Sequence, residues 1–225
     1  MSHFVEFSRF FAEFGPFAGP KLEVVRFMRD LYLNVKKSAE AKLTVMEKYQ
    51  LDGKTPVGGG SYGDVYLATD SEGREVAVKI LKFKPEEYLT VEDFVQESRD
   101  ECALMQNCGP MVVKLYDAYI TTYFQCFSME CLNGGTLLAD LRDPLTTASV
   151  FSHRAPALLR SLAVAIMLLQ ERNIVHRDFK SDNIMFRSEE KGMLDTVLID
   201  FGVGRKRVTR DTTQTWSGTP MCMAP

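Results

Sequence analysis

The sequence predicts an α+β fold in which an antiparallel, strand-rich portion carrying one helix is followed by a mainly helical portion, with a helical extension in front. Three observations predict it. From Tyr49 to Leu132 short Val-rich and aromatic runs are separated by glycines, the texture of antiparallel strands joined by turns. One helical pattern, opened by "TVED" at residues 90–93, interrupts those strands. Beyond Leu132 a turn, "NGGT", leads to leucines at helical spacing from about Pro156 to Glu171. The chain thus divides into residues 1–48, 49–132 and 133–225.

The extension opens with Phe4, Phe7, Phe10, Phe11, Phe14 and Phe17, an amphipathic stripe that Gly15 and Pro16 would end. Such a stripe is expected to dock, either within the chain or on a partner or membrane surface. A second helix is expected from about Leu22 to Met46, with Val25, Met28, Leu31, Val35, Ala39 and Leu43 packing against the strand-rich portion. Strands are then read in "TPVGGGSYGDVYLATD", "REVAVKILKF", "MVVKLYDAYI" and "YFQCFSMECL". In the intervening helix Thr90 can cap and Asp93 can close a capping box, with Phe94, Val95, Ser98, Cys102 and Met105 on the buried face. The later helix is expected to bury Leu158, Leu159, Leu162, Ile166 and Leu169.

Composition excludes several function classes. Of 225 residues, 45% are hydrophobic and 25% charged, enough apolar mass for a sizeable core. The formal net charge of −3 creates no field that would gather nucleic acid, so any phosphate binding must be local. The five cysteines lack zinc-site or disulfide-scaffold spacing, which suggests a reducing, intracellular and cytoplasmic setting. No apolar run approaches the ~18 residues of a spanning helix. Glu6, Arg9 and Glu13 interrupt the stretch that a signal peptide would need apolar.

Chemistry begins at "VGGGSYGDV", where Gly58, Gly60 and Gly63 fall in G-x-G-x-x-G order. Without side chains, backbone amides can approach phosphate oxygens closely. A dinucleotide fingerprint would place a helix next, but "DVYLATD" reads as a strand. In "VAVK" the period of two puts Ala77 and Lys79 on one strand face, a small residue beside a cation, which suits a flat ligand bearing charged oxygens.

These segments resemble the small lobe of eukaryotic-type protein kinases, and the remaining motifs follow that family's order. "IVHRDFKSDNIMF" matches the catalytic-loop pattern H-R-D-x-K-x-x-N at His176, Arg177, Asp178, Lys180 and Asn183. Phosphoryl transfer needs a carboxylate to orient the attacking hydroxyl, a cation for the moving phosphoryl and a neutral oxygen ligand for metal, the roles implied for Asp178, Lys180 and Asn183. "LIDFG" supplies Asp200 as the second Mg²⁺ ligand beside Asn183. The helix after Thr90 should supply a glutamate partner for Lys79. Glu101 is favoured by its spacing to the next strand, with Glu97 as the alternative.

The resemblance implies a two-lobe fold with a five-stranded small lobe, and it assigns an ATP site. Val57, Gly58, Gly59, Gly60, Ser61, Tyr62, Gly63 and Val65 would cover the nucleotide, with Ala77 and Met185 enclosing the base. Met129 would guard the back pocket, and the backbones of Glu130 and Leu132 would bond the base. Lys180 and "GTP" at 218–220 resemble the serine/threonine branch, implying protein substrates with Ser or Thr acceptors. Arg177 would read a phosphate on the activation segment, where Thr212, Thr213, Thr215 and Ser217 are candidate sites. "GTPMCMAP" resembles the close of that segment up to the A-P of A-P-E, so a domain truncated at its C-terminus is expected. The alternative function is a kinase-like chain that binds nucleotide or a partner without efficient catalysis.

Overall fold

The computed structural model describes residues 20–53, 55–60, 63–81, 83, 90–144, 148–190 and 195–206. The Phe stripe of residues 4–17, the four candidate phosphosites and the closing segment 218–225 lie outside them. Helix α1 (Pro20–Lys48) runs directly into β1 (Tyr49–Leu51) with no connecting loop. Tyr49 is 3% exposed, so its burial fixes the rotation of the helix before it. The expected stripe is therefore not the docking face. Leu31, Val35, Ala39 and Leu43 are exposed, whereas Ser38 and Val45 are buried. The side chains of Val25 and Met28 lie outside the description.

Polar ties complete that orientation. Ser38 Oγ lies 2.9 Å from Thr121 Oγ1 and accepts from the Tyr123 N–H at 3.1 Å. Lys48 Nζ donates to Asp117 Oδ2 at 2.7 Å, and the Tyr49 hydroxyl donates to the same carboxylate.

The sheet continues with β2 (Gly58–Gly60), β3 (Gly63–Asp70) and β4 (Glu75–Ile80), then β5 (Leu115–Ile120) and β6 (Gln125–Glu130). Its order is β1-β3-β4-β6-β5, antiparallel throughout, with β2 also paired to β3. The sheet thus has six strands where five are expected, because β1 and β2 pair separately with β3. Leu51 stands opposite Ala68 and Gly58 opposite Val65, so only Tyr66 and Leu67 lie between the two pairings on β3, against six residues on the other side. Pro56, lacking an N–H, cannot donate to a continuous ladder there.

The two faces of the sheet have separate cores. Ala68, Val76, Val78 and Cys126 pack with Val45 and Tyr49, which seats the end of α1. Phe127 and Met129 join the larger cluster that includes Leu104 and Met105 of α2 (Val91–Asn107). The capping box of α2 is present: Asp93 N–H donates to Thr90 Oγ1 at 3.1 Å and Thr90 N–H to Asp93 Oδ2 at 3.0 Å. Its buried residues are Phe94, Ser98, Glu101, Leu104 and Met105, while Val95 and Cys102 are only half-buried. Ser98 is drawn inward by the fully buried Gln125, and this turns Glu101 toward the sheet.

Met111 to Val113, expected within a strand, leave the sheet instead. Leu198 N–H donates to the Met111 carbonyl at 2.9 Å and Val113 N–H to the Leu198 carbonyl at 3.0 Å, so the run stitches the sheet to the second half of the chain. That half holds α3 (Leu137–Arg142), α4 (Ala148–Glu171), β7 (Ile174–Val175), a 3₁₀ turn (Ser181–Asn183), β8 (Ile184–Phe186), β9 (Thr196–Leu198) and β10 (Arg205–Lys206). Strands β8 and β9 form one hairpin, and β10 pairs with β7.

Helix α4 starts eight residues before the expected Pro156, which sits inside it. Arg154 explains the extension: its guanidinium lies 3.0 Å from the buried Asp140 carboxylate and over the Phe186 ring. The inward face also differs. Ser161, Ala165 and Leu169 are buried and Leu158 and Leu162 half-buried, while Leu159 and Ile166 are 65% and 39% exposed. Small residues four apart let α4 approach its neighbours closely. Among the described residues no helix is long and apolar enough to cross a membrane.

The "NGGT" turn is the tightest joint. Gly134 N–H donates to the Phe186 carbonyl at 3.0 Å, and a Cβ on Gly134 would lie 2.2 Å from the Ser188 carbonyl oxygen and 2.5 Å from Phe186 Cβ. At Gly135 a Cβ would meet nothing, but its φ is +74°. We predict that Gly134→Ala lowers unfolding free energy by about 3 kcal/mol, against about 1 kcal/mol for Gly135→Ala. Urea denaturation midpoints check the order.

Candidate active site

Register places the nucleotide-facing candidates on one sheet face. Val65 stands opposite Lys79 and Leu67 opposite Ala77, while Ala77 stands opposite Met129 on β6. Val65 and Ala77 are half-buried, Met129 is buried and Val57 is exposed. Gly58, Gly59 and Gly60 form β2 against β3, with Gly63 at the start of the return strand. Gly63 has φ +143°, and a Cβ there would meet the Ile80 carbonyl oxygen at 2.3 Å, so the turn requires glycine. Ser61 and Tyr62 lie outside the described residues.

Lys79 is the centre of the first charged group. Its Nζ lies 2.8 Å from Glu101 Oε1 and 3.3 Å from Asp200 Oδ1. Burial disfavours the ammonium, but the two carboxylates outweigh it and hold the lysine above its ordinary pKa. Glu101 is 4% exposed, whereas Glu97, one turn earlier, is half-buried. The geometry therefore seats Glu101 against the lysine.

The second group is built on the 3₁₀ turn. Asn183 Nδ2 donates to Asp178 Oδ2 at 2.8 Å and to the Asp178 carbonyl at 2.9 Å. Lys180 Nζ lies 2.8 Å from the same Oδ2. Asp178 and Asn183 are buried, with Lys180 reaching them from a half-buried position.

Backbone and ring contacts join the two groups. Ile199 N–H donates to the Asn183 carbonyl at 3.0 Å, which ties the residue before Asp200 to the 3₁₀ turn. His176 accepts the Asp178 N–H on Nδ1 at 3.3 Å, so its Nε2 carries the proton and donates to the Ile199 carbonyl at 3.0 Å. The His176 ring lies 4.5 Å from that of Phe201, which is fully buried. Arg177 and Asp200 adopt left-handed φ values of 65° and 62°, a region that arginine rarely enters and aspartate enters more readily. Such strain persists where the surroundings over-determine it, and here it turns Asp200 toward Lys79. Arg177 Nε donates to the Val203 carbonyl at 2.6 Å.

The donor set fits a hard divalent cation. Asn183 spends its Nδ2 on Asp178, which leaves the oxygen as the amide's remaining donor atom, and Asp200 has a carboxylate only 26% exposed, both oxygen donors of the kind such a cation takes.

The family model of the protein kinase domain matches residues 51–225. The chain belongs to the protein kinase family. A protein kinase domain transfers phosphoryl groups to protein substrates, and the charged cluster lies within the matched region.

In this kinase domain Met185 and Leu132 are half-buried, and Met185 bridges to Thr136 just past the "NGG" turn. Sequence reasoning gives two further residues no role of their own. His176 enters it only as part of a motif, although it holds Ile199 and Phe201. Arg187 carries no local signal, since its partner Glu130 is 57 residues away.

Burial keeps the His176 pKa below the ordinary histidine value of 6.5, despite the pull of the Ile199 carbonyl. The unfolded chain therefore takes up this proton at a higher pH than the folded kinase. The resulting stability is present above 6.5 and is lost as pH falls through the folded value. We predict that the thermal midpoint of the wild type falls between about pH 7 and about pH 5. His176→Gln should start lower and show a flatter profile over that window.

Proposed function

We propose that this chain is the catalytic region of an ATP-dependent serine/threonine protein kinase that moves the γ-phosphoryl of ATP to a protein hydroxyl. The observation that carries the reading is the convergence of two groups, Lys79 with Glu101 and Asp200, and Asp178 with Lys180 and Asn183, joined through Ile199.

In this reading residues 49–132 cover the nucleotide and 133–225 carry the transfer groups. Val57, Gly58 to Gly63 and Val65 lie over the phosphates and base. Ala77 and Met185 enclose the purine, Met129 borders it, and the Glu130 and Leu132 backbones bond its edge. Lys79, fixed by Glu101, holds the inner phosphates. Asp200 and Asn183 would hold Mg²⁺, which neutralises phosphate charge when bound.

The acceptor hydroxyl then attacks the γ-phosphorus, its O–H proton passes to the Asp178 carboxylate, and the bond to the β-phosphate bridging oxygen breaks to release ADP. Lys180 offsets charge on the moving phosphoryl. The Asn183 and Lys180 contacts orient the Asp178 carboxylate for the incoming hydroxyl. Lys180 two residues beyond Asp178 and "GTP" at 218–220, which resemble the serine/threonine branch, support serine and threonine acceptors. Cys102, Cys108, Cys126 and Cys131 are free thiols, which suits a cytoplasmic setting.

A second reading is a nucleotide-binding kinase relative with little catalysis. It is favoured by the outer side of α4, where Leu159 and Met167 are 65% and 59% exposed, an apolar face open among the described residues.

Radiolabelled transfer from ATP to a generic basic protein tests the first reading against the second. Asp178→Asn is expected to lower transfer by about 10²–10⁴-fold while nucleotide affinity stays within about threefold of wild type. Transfer that survives the substitution would remove Asp178 from its role. Nucleotide binding by a wild type that transfers nothing would favour the second reading.

A further inference from the structure

Arg187 follows β8 directly, two residues past Met185 and four past Asn183. Its guanidinium makes a two-pronged pair with Glu130, the last residue of β6. Nε lies 3.1 Å from Oε2, and Nη2 lies 3.2 Å from Oε1. Nη2 also donates to the Pro110 carbonyl at 2.7 Å, in the loop between α2 and β5. The backbone of Arg187 is tied as well: its N–H donates to the Asp195 carbonyl at 2.8 Å, and its carbonyl accepts from Asn133 N–H at 3.1 Å.

Glu130 is gripped from its other side. Oε1 accepts from the Lys114 N–H at 2.8 Å, while the Glu130 N–H donates to the Lys114 carbonyl at 2.9 Å. One guanidinium therefore joins three segments: the end of β6, the loop after α2 and the β8–β9 hairpin that leads back to Asn183 and Asp200. The pair is shielded, with side-chain exposures of 30% for Arg187 and 15% for Glu130, so water does not dilute it fully. A planar fork is required, because an ammonium could not hold both carboxylate oxygens and the carbonyl in fixed directions.

We infer that Arg187 is a positioning residue for the nucleotide. It clasps the segment from Glu130 to Leu132 against β8 and so sets the distance between the purine-binding backbone and the phosphate-binding end at Asn183 and Asp200. This rests on the proposed function, in which the Glu130 and Leu132 backbones receive the base. The chemistry of the effect is at the purine end, so it extends to adenosine as well as to ATP.

Fluorescence titration of the full chain with MgATP and with adenosine tests it, with thermal midpoints measured in parallel. Arg187→Gln is expected to weaken both ligands about five- to tenfold, and Glu130→Gln to do the same. The double variant should be no more than about twofold weaker than either single one, because both changes break one contact. Arg187→Lys should fall between wild type and Arg187→Gln, and it carries the test if the glutamine variant does not fold. Unchanged affinities in folded Arg187 variants overturn the inference, as does a loss for MgATP without one for adenosine. Lowered midpoints with unchanged affinities also overturn it. A wild type that binds both ligands as described yet transfers no phosphoryl overturns the catalytic reading alone, and one that binds neither overturns both.

Discussion

The arrangement depends on one buried cation. Lys79 sits between Glu101 of α2 and Asp200 of the segment after β9, and its position requires sheet, helix and second half to be in place together. Taking these charges from water costs several kcal/mol, so the pair is weak evidence for stability. Its worth lies in geometry: an ammonium held by two carboxylates points in one direction. Removing the ammonium would leave the buried Glu101 carboxylate without its ion-pair partner, a loss of about 3–5 kcal/mol.

Everything packed around that cation keeps its three supports in register. Phe127 stands opposite Lys79 across β4 and β6, and it belongs with Leu104 and Phe201 to one buried cluster. Neutral His176 joins Asp178 to Ile199, accepting the Asp178 N–H on Nδ1 and donating from Nε2 to the Ile199 carbonyl. The Met111–Val113 run, bonded to Leu198, carries the sheet's position across to Asp200. The left-handed backbone at Asp200 is where these constraints meet.

The chemistry-bearing residues are legible in the sequence because their spacing is set within single loops. Asp178, Lys180 and Asn183 lie on one short turn, so sequence order nearly determines their mutual distance. Glu101 is favoured over Glu97 only by its spacing to the next strand, since both lie on nearly one helix side, and it is the crossing of α2 over the sheet that sets Glu101 against Lys79. The rotation of α1 is hidden for a related reason. Its apolar stripe is real, but the burial of Tyr49 immediately after it turns Ser38 and Val45 inward instead. The early start of α4 depends on Arg154 reaching Asp140, and the clasp of Arg187 on Glu130 on a contact between distant segments. Neither leaves a periodic trace in the sequence.

In the proposed function Glu101 acts on the phosphate end of the nucleotide by holding Lys79. The most direct test is the ratio of MgATP to adenosine dissociation constants in wild type and Glu101→Gln. Losing a charge-assisted contact should weaken MgATP about tenfold or more and leave adenosine unchanged. An unaltered ratio in a folded variant would contradict the account.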